Sequence, residues 1–439
     1  MYLPQNVLTC MTALNRAGHR VYAVGGCVRD AYLGLVPQDY DLCTDATPEQ
    51  MHRIFADFRQ VHAGEKHGTV GVVVDGAVIE ITTFRTEGGY DDNRHPGWVR
   101  FVSHVEEDLA RRDFTVNAMA YHPLEGYIDP FGGRSDLENR ILRAVGDPQA
   151  RFTEDALRIL RGARFAAKYR LTPEENTLRA MVQLRCRMES LARERVFEEL
   201  CKLLMVASAQ DLLRFAPVIT AVIPELADQV GFDQRNPHHA FDLYTHTAQV
   251  TAGTPADLAL RWAGLLHDSG KVPTFFLDED GRGHFYGHAK PSAEIADAVL
   301  RRLKAPTALR EEVVQLCRLH MTLIPPDKKV VRRWMGKLGP DNLRKLLLFQ
   351  QADMGGKGIR EEGEMEQFPL LEELIAGILR ENACFSLRDL AVNGHDLKAL
   401  GYTGKQIGTC LQFLLEQVMD ERLPNETAAL LTAAKAWEG

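Results

Sequence analysis

One stretch constrains this chain more than any other: residues 21–45, VYAVGGCVRDAYLGLVPQDYDLCTD. An apolar run from Val21 to Val24 stops at Gly25-Gly26. A short helix carrying Val28, Arg29 and Asp30 is expected next, then a turn at Pro37, then a second strand carrying Asp39-Tyr40-Asp41. Carboxylates two residues apart on a strand share a face and stand about 6.6 Å apart along it. That separation suits two oxygen-seeking cations, which two-metal phosphoryl transfer holds about 3.5–4 Å apart. Mg²⁺ takes one or two protein carboxylates and fills its other positions with water and phosphate oxygens. The glycine pair lets backbone approach a polyphosphate closely, with N–H groups of the helix start aimed at it. An EF-hand is excluded, because position 6 from Asp39 is Thr44 and position 12 is Gln50, where Gly and Glu are required.

The 439 residues suffice for about three domains. No run of 18 apolar residues exists, so no membrane span is expected, and the N-terminus lacks the basic region of a signal peptide. Eight scattered cysteines without a Cys-x-x-Cys pair fit reduced thiols and a cytoplasmic location. The net charge of −8 does not advertise a nucleic-acid binder. Its distribution says more: residues 151–202 hold twelve Arg/Lys against eight Asp/Glu, compatible with a phosphate-bearing ligand or with a solvated helical surface.

Along the chain, Thr47, Pro48, Glu49 and Gln50 mark a helix start for residues 47–58. Asp75-Gly76 between alternating apolar residues predicts a hairpin whose second strand puts Val78, Glu80 and Thr82 on one face. A charge in mid-strand marks either an exposed face or, beside a metal pair, a third carboxylate. Residues 86–98 are polar and turn-rich, a mobile loop by composition. A helix from about residue 106 is expected to bury Leu109, Val116 and Met119 and to project Arg111-Arg112-Asp113. From Phe152 the pattern is helical. Asp155, Arg158, Arg161 and Arg164 recur in three-residue steps, each turning back about 60°, so a slanting ridge along one helix is predicted. A salt bridge on an exposed helix is the plain alternative for Asp155 and Arg158.

These motifs together resemble the class II tRNA nucleotidyltransferases and poly(A) polymerases. RRDFTVNAMA (111–120), DPFGGRSDL (129–137), FTEDALRILRGARFAA (152–167) and ERVFEELCKLL (194–204) follow in that family's order. HGTVGVVVDGAVIEITTFR and YDDNRHP look like the CCA-adding branch, and LAVNGHDLKALGYTGKQIGTCLQFLLEQV (390–418) is also similar. The resemblance implies an α+β fold: a small mixed-sheet head (1–150), a helical neck (151–232), a helical body (233–355) and a helical tail (356–439). It implies tRNA as partner, CTP and ATP as substrates and Mg²⁺ as cofactor. It also implies roles. Asp39 and Asp41 match the metal pair, with Glu80 open as a third catalytic carboxylate. Gly26 and Arg29 match nucleotide-contacting positions, Arg112 and Asp113 the ribose-recognising motif, and Asp155, Arg158, Arg161 and Arg164 the base-selecting helix.

A second set resembles the HD phosphohydrolases: His246, then His267-Asp268 followed by Gly270-Lys271, then His288, His320 and Asp353. Imidazole and carboxylate ligands suit Mn²⁺, Ni²⁺, Fe²⁺ or Mg²⁺. The resemblance implies a second, phosphodiesterase or phosphatase activity. Poly(A) polymerization, partial addition of A or CC, and an HD hydrolase with an RNA-holding N-terminal half are the competing readings. The sequence leaves the oligomeric state open.

Overall fold

The computed structural model describes every residue except 63, 89–97, 360–362, 364, 382, 438 and 439. The fold is mixed α+β and divides into two compact units, residues 1–227 with 301–305, and residues 228–300 with 306–439.

In the first unit, β1 (Val21–Val24) and β2 (Asp41–Thr44) run antiparallel and lie inside a seven-stranded sheet. The others are β3 (Arg59–Val61), β4 (Thr69–Val74), β5 (Ala77–Thr83) and two short strands, Ala120–His122 and Gly126–Ile128. Their order is β3-β4-β5-β2-β1 followed by those two, and β2 with β5 is the one parallel pair in this sheet. The β4–β5 hairpin turns at Asp75 and Gly76, with φ of 51° and 80°, as the two-residue turn between alternating strands demands. Tyr22, Val24, Cys43, Phe84 and Leu109 form part of the core behind this sheet. The helix expected over 47–58 is Pro48–Ile54, capped by Thr47 as expected, with Gln50 completing a capping box.

Three expectations about local structure are corrected. Asp39 is not in a strand, because β2 begins at Asp41. The last β1 partner is Val24, facing Asp41; at Gly25 (φ 78°) the chain turns into the helix Gly26–Tyr32, so residues 39 and 40 find no antiparallel neighbour. The helix expected to carry Arg111–Asp113 ends at Ala110. Phe114 is extended and bridges Ala144, while Leu109, Val116 and Met119 are buried as expected. The helix from Phe152 is also interrupted. One helix, Pro148–Glu154, ends at Asp155, which is extended (φ −140°, ψ 104°), and a second runs Leu157–Tyr169. The Asp155 carboxylate accepts from the Leu157 N–H at 3.0 Å, satisfying one orphan donor of the second helix.

The polar loop expected over 86–98 falls largely on residues 89–97, outside the described residues. Its flanks, Arg85–Gly88 and Trp98–Phe101, pair as an antiparallel ribbon. The second unit is mostly helical. Leu243–Gly253, Leu258–Leu266, Thr307–Leu319 and Pro340–Gly356 each deliver at least one of the predicted histidines or aspartates from within the helix or at its end. Nearer the C-terminus, Gly394–Ala399, Lys405–Met419 and Thr427–Lys435 pack around Leu397, Leu414 and Leu430. Among the described residues no helix is long and apolar enough to cross a membrane. Among the described residues no disulfide joins any of the eight cysteines.

Candidate active site

A cleft of about 430 Å³ in the first unit is lined by Gly25, Gly26, Arg29, Asp41, Arg112, Asp113, Asp155, Arg158 and Arg161. Residues separated by more than a hundred positions therefore share one cavity. Asn117, Phe165 and Arg195 line it too, without having been singled out as site residues. Arg195 is one of the basic residues of 151–202, but only contact geometry brings it to Asp155.

At the sheet end of the cleft, Asp41 stands in register with Glu80 across the parallel β2–β5 pair. Asp41 is open to solvent on one side, yet the protein packed around its carboxyl pushes its pKa up. The Glu80 charge adds to that rise, Arg112 opposes it, and Asp39 contributes least. Asp39 and Glu80 are exposed, and neither lines the cleft wall. Among the described residues these three carboxylates do not bring their ligand atoms within 4.8 Å of one another. Their donor set is nonetheless all oxygen and solvent-facing, which fits Mg²⁺ with its retained waters.

Arg112 reaches this end from the other side. Its guanidinium donates to the buried Asp108 carboxylate at 3.3 Å. Burial pushes the Asp108 pKa up, but Arg111 and Arg112 outweigh it and keep the group ionised. The positive φ of Gly25 is matched by a close approach: a Cβ there would lie 2.7 Å from Arg112 Nη1. At Gly26 the nearest atom to such a Cβ is Arg29 Nη2 at 3.5 Å, an ordinary contact.

Arg29 is buried and held from three sides. It donates to Asp30 at 2.8 Å, to the Tyr169 hydroxyl at 2.5 Å and to Asn117 Oδ1, and it lies 4.2 Å from the Tyr169 ring centroid. Asn117 passes the network on, donating to Asp113 Oδ1 at 3.0 Å. Asp113 accepts four hydrogen bonds in all, from Phe114 N, Asn117, and Nε and Nη2 of Arg161 at 2.8 and 2.6 Å. Those contacts fill its lone-pair capacity. Burial pushes the Asp113 carboxyl up, but Arg161, Asn117 and Arg158 more than reverse this and hold it at about 2.

The expected ridge is divided among different partners. Arg158 donates to Glu154 at 2.6 Å and to the carbonyls of Arg111 (3.0 Å) and Arg151 (3.2 Å). Asp155 receives Arg195 at 3.0 Å instead. The expected alternative of an Asp155–Arg158 bridge is thus absent. Arg164 is not a lining residue of the cleft; it pairs with buried Glu199 at 2.6 Å, its guanidinium 4.2 Å from the Phe165 ring centroid.

The second unit holds a buried cluster of all six residues of the other predicted set. His246 Nε2 lies 3.2 Å from Asp268 and 3.1 Å from Asp353, and His267 Nε2 lies 3.2 Å from Asp268. His288 and His320 face the other Asp268 oxygen at 3.2 and 3.8 Å. Each Nδ1 meets a backbone carbonyl: Gly356 at 3.1 Å, Gly264 at 2.9 Å, Phe285 at 2.8 Å and Cys317 at 2.7 Å respectively. A carbonyl can only accept, so each Nδ1 carries its proton and each Nε2 turns toward the centre. That orientation is characteristic of metal-ligating histidines. Burial pulls the His267 pKa down, yet Asp268 and Asp353 push it up to about 10. Burial likewise raises Asp268, but His267 and Lys271 hold it well below the carboxylate range. A divalent cation can take the place of the proton so held.

The Poly A polymerase head domain profile matches residues 21–143, and that of tRNA nucleotidyltransferase domain 2 matches residues 286–434. A profile for an RNA- and SrmB-binding site of polymerase A matches residues 170–229. The CCA-adding enzyme of Levilactobacillus brevis is 34% identical over 428 residues, covering 96% of this chain and 95% of its own. This chain belongs to the CCA-adding enzyme family. Another family member, from Streptococcus suis, is 49% identical over 201 residues, 46% of this chain and 49% of its own. The crystal structure of the Bacillus stearothermophilus CCA-adding enzyme in complex with CTP superposes with a TM-score of 0.75 at 27% identity. That match covers 99% of this chain and 98% of the other. A Thermotoga maritima CCA-adding enzyme complexed with tRNA shares the fold, with a TM-score of 0.61 at 21% identity, covering 99% and 96% of the two chains. As a family member the chain is a tRNA nucleotidyltransferase, and nucleotidyltransferases of this type use divalent metals, usually Mg²⁺.

Proposed function

We propose that the chain adds CMP and AMP to the 3′ end of tRNA from CTP and ATP, without a nucleic-acid template. The observation that carries this is the single cleft in which Asp41, Arg112, Asp113, Asp155, Arg158 and Arg161 meet. Similarity to CCA-adding enzymes over nearly the whole chain supports it. In this reading residues 1–150 perform the chemistry, 151–232 select the nucleotide, and 356–439 contact tRNA. Asp39 and Asp41, with Glu80 beside them as the third carboxylate, would hold Mg²⁺, which when bound would supply activation of the RNA 3′-hydroxyl and neutralisation of triphosphate charge. Gly26 leaves room for backbone to approach the phosphates. Arg29 and Arg112 contribute positive charge beside them, and Asp113, by holding Arg161, sets the wall against which the nucleotide is read.

Base choice follows from donor and acceptor patterns. Cytosine and adenine each present an amino donor beside a ring-nitrogen acceptor, which a carboxylate and a guanidinium match. Uracil and guanine reverse both groups, and a site built for hydrogen bonding rejects such a reversal strongly. Asp155 would accept the amino group by exchanging Arg195 for it. Arg158 has three of its five N–H groups committed within the protein, leaving donors for the ring nitrogen.

The test offers tRNAs ending before, within and after the two C positions, with CTP, ATP or both, and sequences the ends. Full CCA on the shortest acceptor is the expected result. Adenylation alone would mark a poly(A) polymerase or A-adding enzyme, and a stop after CC a partial adder. No CTP incorporation on any acceptor would refute the CCA reading.

A second reading concerns residues 233–355, as an HD-type phosphohydrolase acting on a small phosphoester or an RNA 3′ end. The four imidazoles oriented by backbone carbonyls around Asp268 and Asp353 support it. Mn²⁺, Ni²⁺, Fe²⁺ or Mg²⁺ would be held by these six residues and would supply Lewis-acid activation of the phosphoester. Lys271, 2.8 Å from Asp268, adds a positive charge to the wall of the cluster. Hydrolysis of a 2′,3′-cyclic nucleotide with Mn²⁺ or Ni²⁺, lost in Asp268→Ala, is the expected result. No metal-dependent turnover in the unaltered chain would reduce the cluster to a structural remnant.

A further inference from the structure

We propose that His52, His62 and Glu65 form a separate surface site for a divalent transition-metal ion of the zinc class. The three residues come from the end of one helix (Pro48–Ile54), the residue after edge strand β3, and a short 3₁₀ turn (Glu65–His67). One ligand atom from each lies within 4.8 Å of the other two. His52 Nε2 is 3.0 Å from Glu65 Oε1, and His62 Nδ1 is 3.4 Å from Glu65 Oε2. A tetrahedral zinc ion with bonds of about 2.0–2.2 Å separates its ligand atoms by roughly 3.3–3.5 Å. The two imidazole–carboxylate separations, one to each Glu65 oxygen, are near that span, and two imidazoles with one carboxylate leave a position for solvent.

The orientation of His52 is built in. Gln60 Nε2 donates to the carbonyls of Phe55 at 2.7 Å and His52 at 3.3 Å, which turns its Oε1 toward His52 Nδ1 at 2.5 Å. An amide oxygen only accepts, so His52 Nδ1 carries the proton and Nε2 is presented to the site. A partner on the outer nitrogen that fixes tautomer and ring direction is what metal-ligating histidines have. Gln60 lies on β3, the edge of the head sheet, in register with Val72 on β4. An ion here would tie that edge to the helix above it.

The simpler alternative is two histidine–glutamate ion pairs and no ion. Zinc content of the full-length chain after equilibrium dialysis separates the two, comparing the unaltered protein with His62→Ala and Glu65→Gln. Both positions are exposed, so the variants are expected to keep the melting profile of the parent. The buried cluster contributes equally to all three proteins. The expected result is one zinc fewer per chain in each variant, and loss of the corresponding four-coordinate visible absorption when Co²⁺ replaces Zn²⁺. Equal zinc in the parent and either variant would overturn the site.

Discussion

Asp41 and Glu80 occupy the same register position on two parallel strands, so both side chains leave the sheet on one face. The crowding of Asp41 and the charge of Glu80 raise the Asp41 pKa. Nucleotide addition at limiting Mg²⁺ should therefore rise with pH through a value above the ordinary aspartate range, because the proton competes with the cation for this carboxylate. Asp41→Asn should lower addition by at least ~10³-fold, several kcal/mol of transition-state stabilisation. Glu80→Gln should retain part of the activity and move the acid limb to lower pH, since a neighbouring negative charge is gone. A rate–pH profile of single-nucleotide addition checks both. An unmoved limb in Glu80→Gln would separate the two carboxylates functionally.

Asp113 is the hub on which the cleft's other wall is hung. Its pKa is depressed from 3.8 to about 2, so its stabilising contribution is complete above the unfolded-state value and disappears as pH falls from about 4 to about 2. The shift corresponds to about 2 kcal/mol. Asp113→Ala should cost about 2–3 kcal/mol, because Arg161 loses its partner while remaining about one-third exposed. Urea unfolding at pH 7 and pH 3 measures this, and the gap between parent and variant should narrow at the lower pH.

The two neighbouring glycines should respond differently. Gly25→Ala places a methyl group against Arg112 and forces a positive φ, so a loss of about 1–2 kcal/mol in stability is expected together with activity. Gly26→Ala meets only an ordinary contact, so its melting temperature should hold while KM for the nucleotide rises. Thermal melts and steady-state kinetics on both variants decide this. A fully active Gly26→Ala would remove the backbone-approach role.

In the buried cluster, Asp268 offers one oxygen to His246 and His267 and the other to His288 and His320. Asp268→Ala should then abolish Mn²⁺ binding altogether, whereas His320→Ala should remove only part of it. Affinity should fall as pH drops, because protons compete with the cation for the same imidazoles and carboxylates. Calorimetric titration with Mn²⁺ at pH 8 and pH 6 reads out stoichiometry and pH dependence together.

Local features of this fold are legible in the sequence. The hairpin at Asp75-Gly76 and the capped helix at Thr47 rest on neighbours a few residues apart, so local chemistry suffices for them. Two of the three break points, at Asp39 and at Asp155, have causes of one kind. A strand ends where its partner turns away, as at Gly25, and a helix is interrupted where a side chain captures its own backbone. Neither event has a period in the sequence. Glu80 could be narrowed only to an exposed face or a third carboxylate, because a strand's neighbour across a parallel pairing is not written in its spacing.

By itself the sequence determined which chemical groups the chain possesses and which of them travel together as motifs: paired aspartates beside glycines, an arginine series, and histidines with an aspartate. Tertiary structure alone decided who holds whom. Arg161 goes to Asp113, Arg164 to Glu199 and Arg195 to Asp155. The physical reason is that a guanidinium's partner is set by distance and burial after the helices pack, and several carboxylates at suitable spacing compete for it until then.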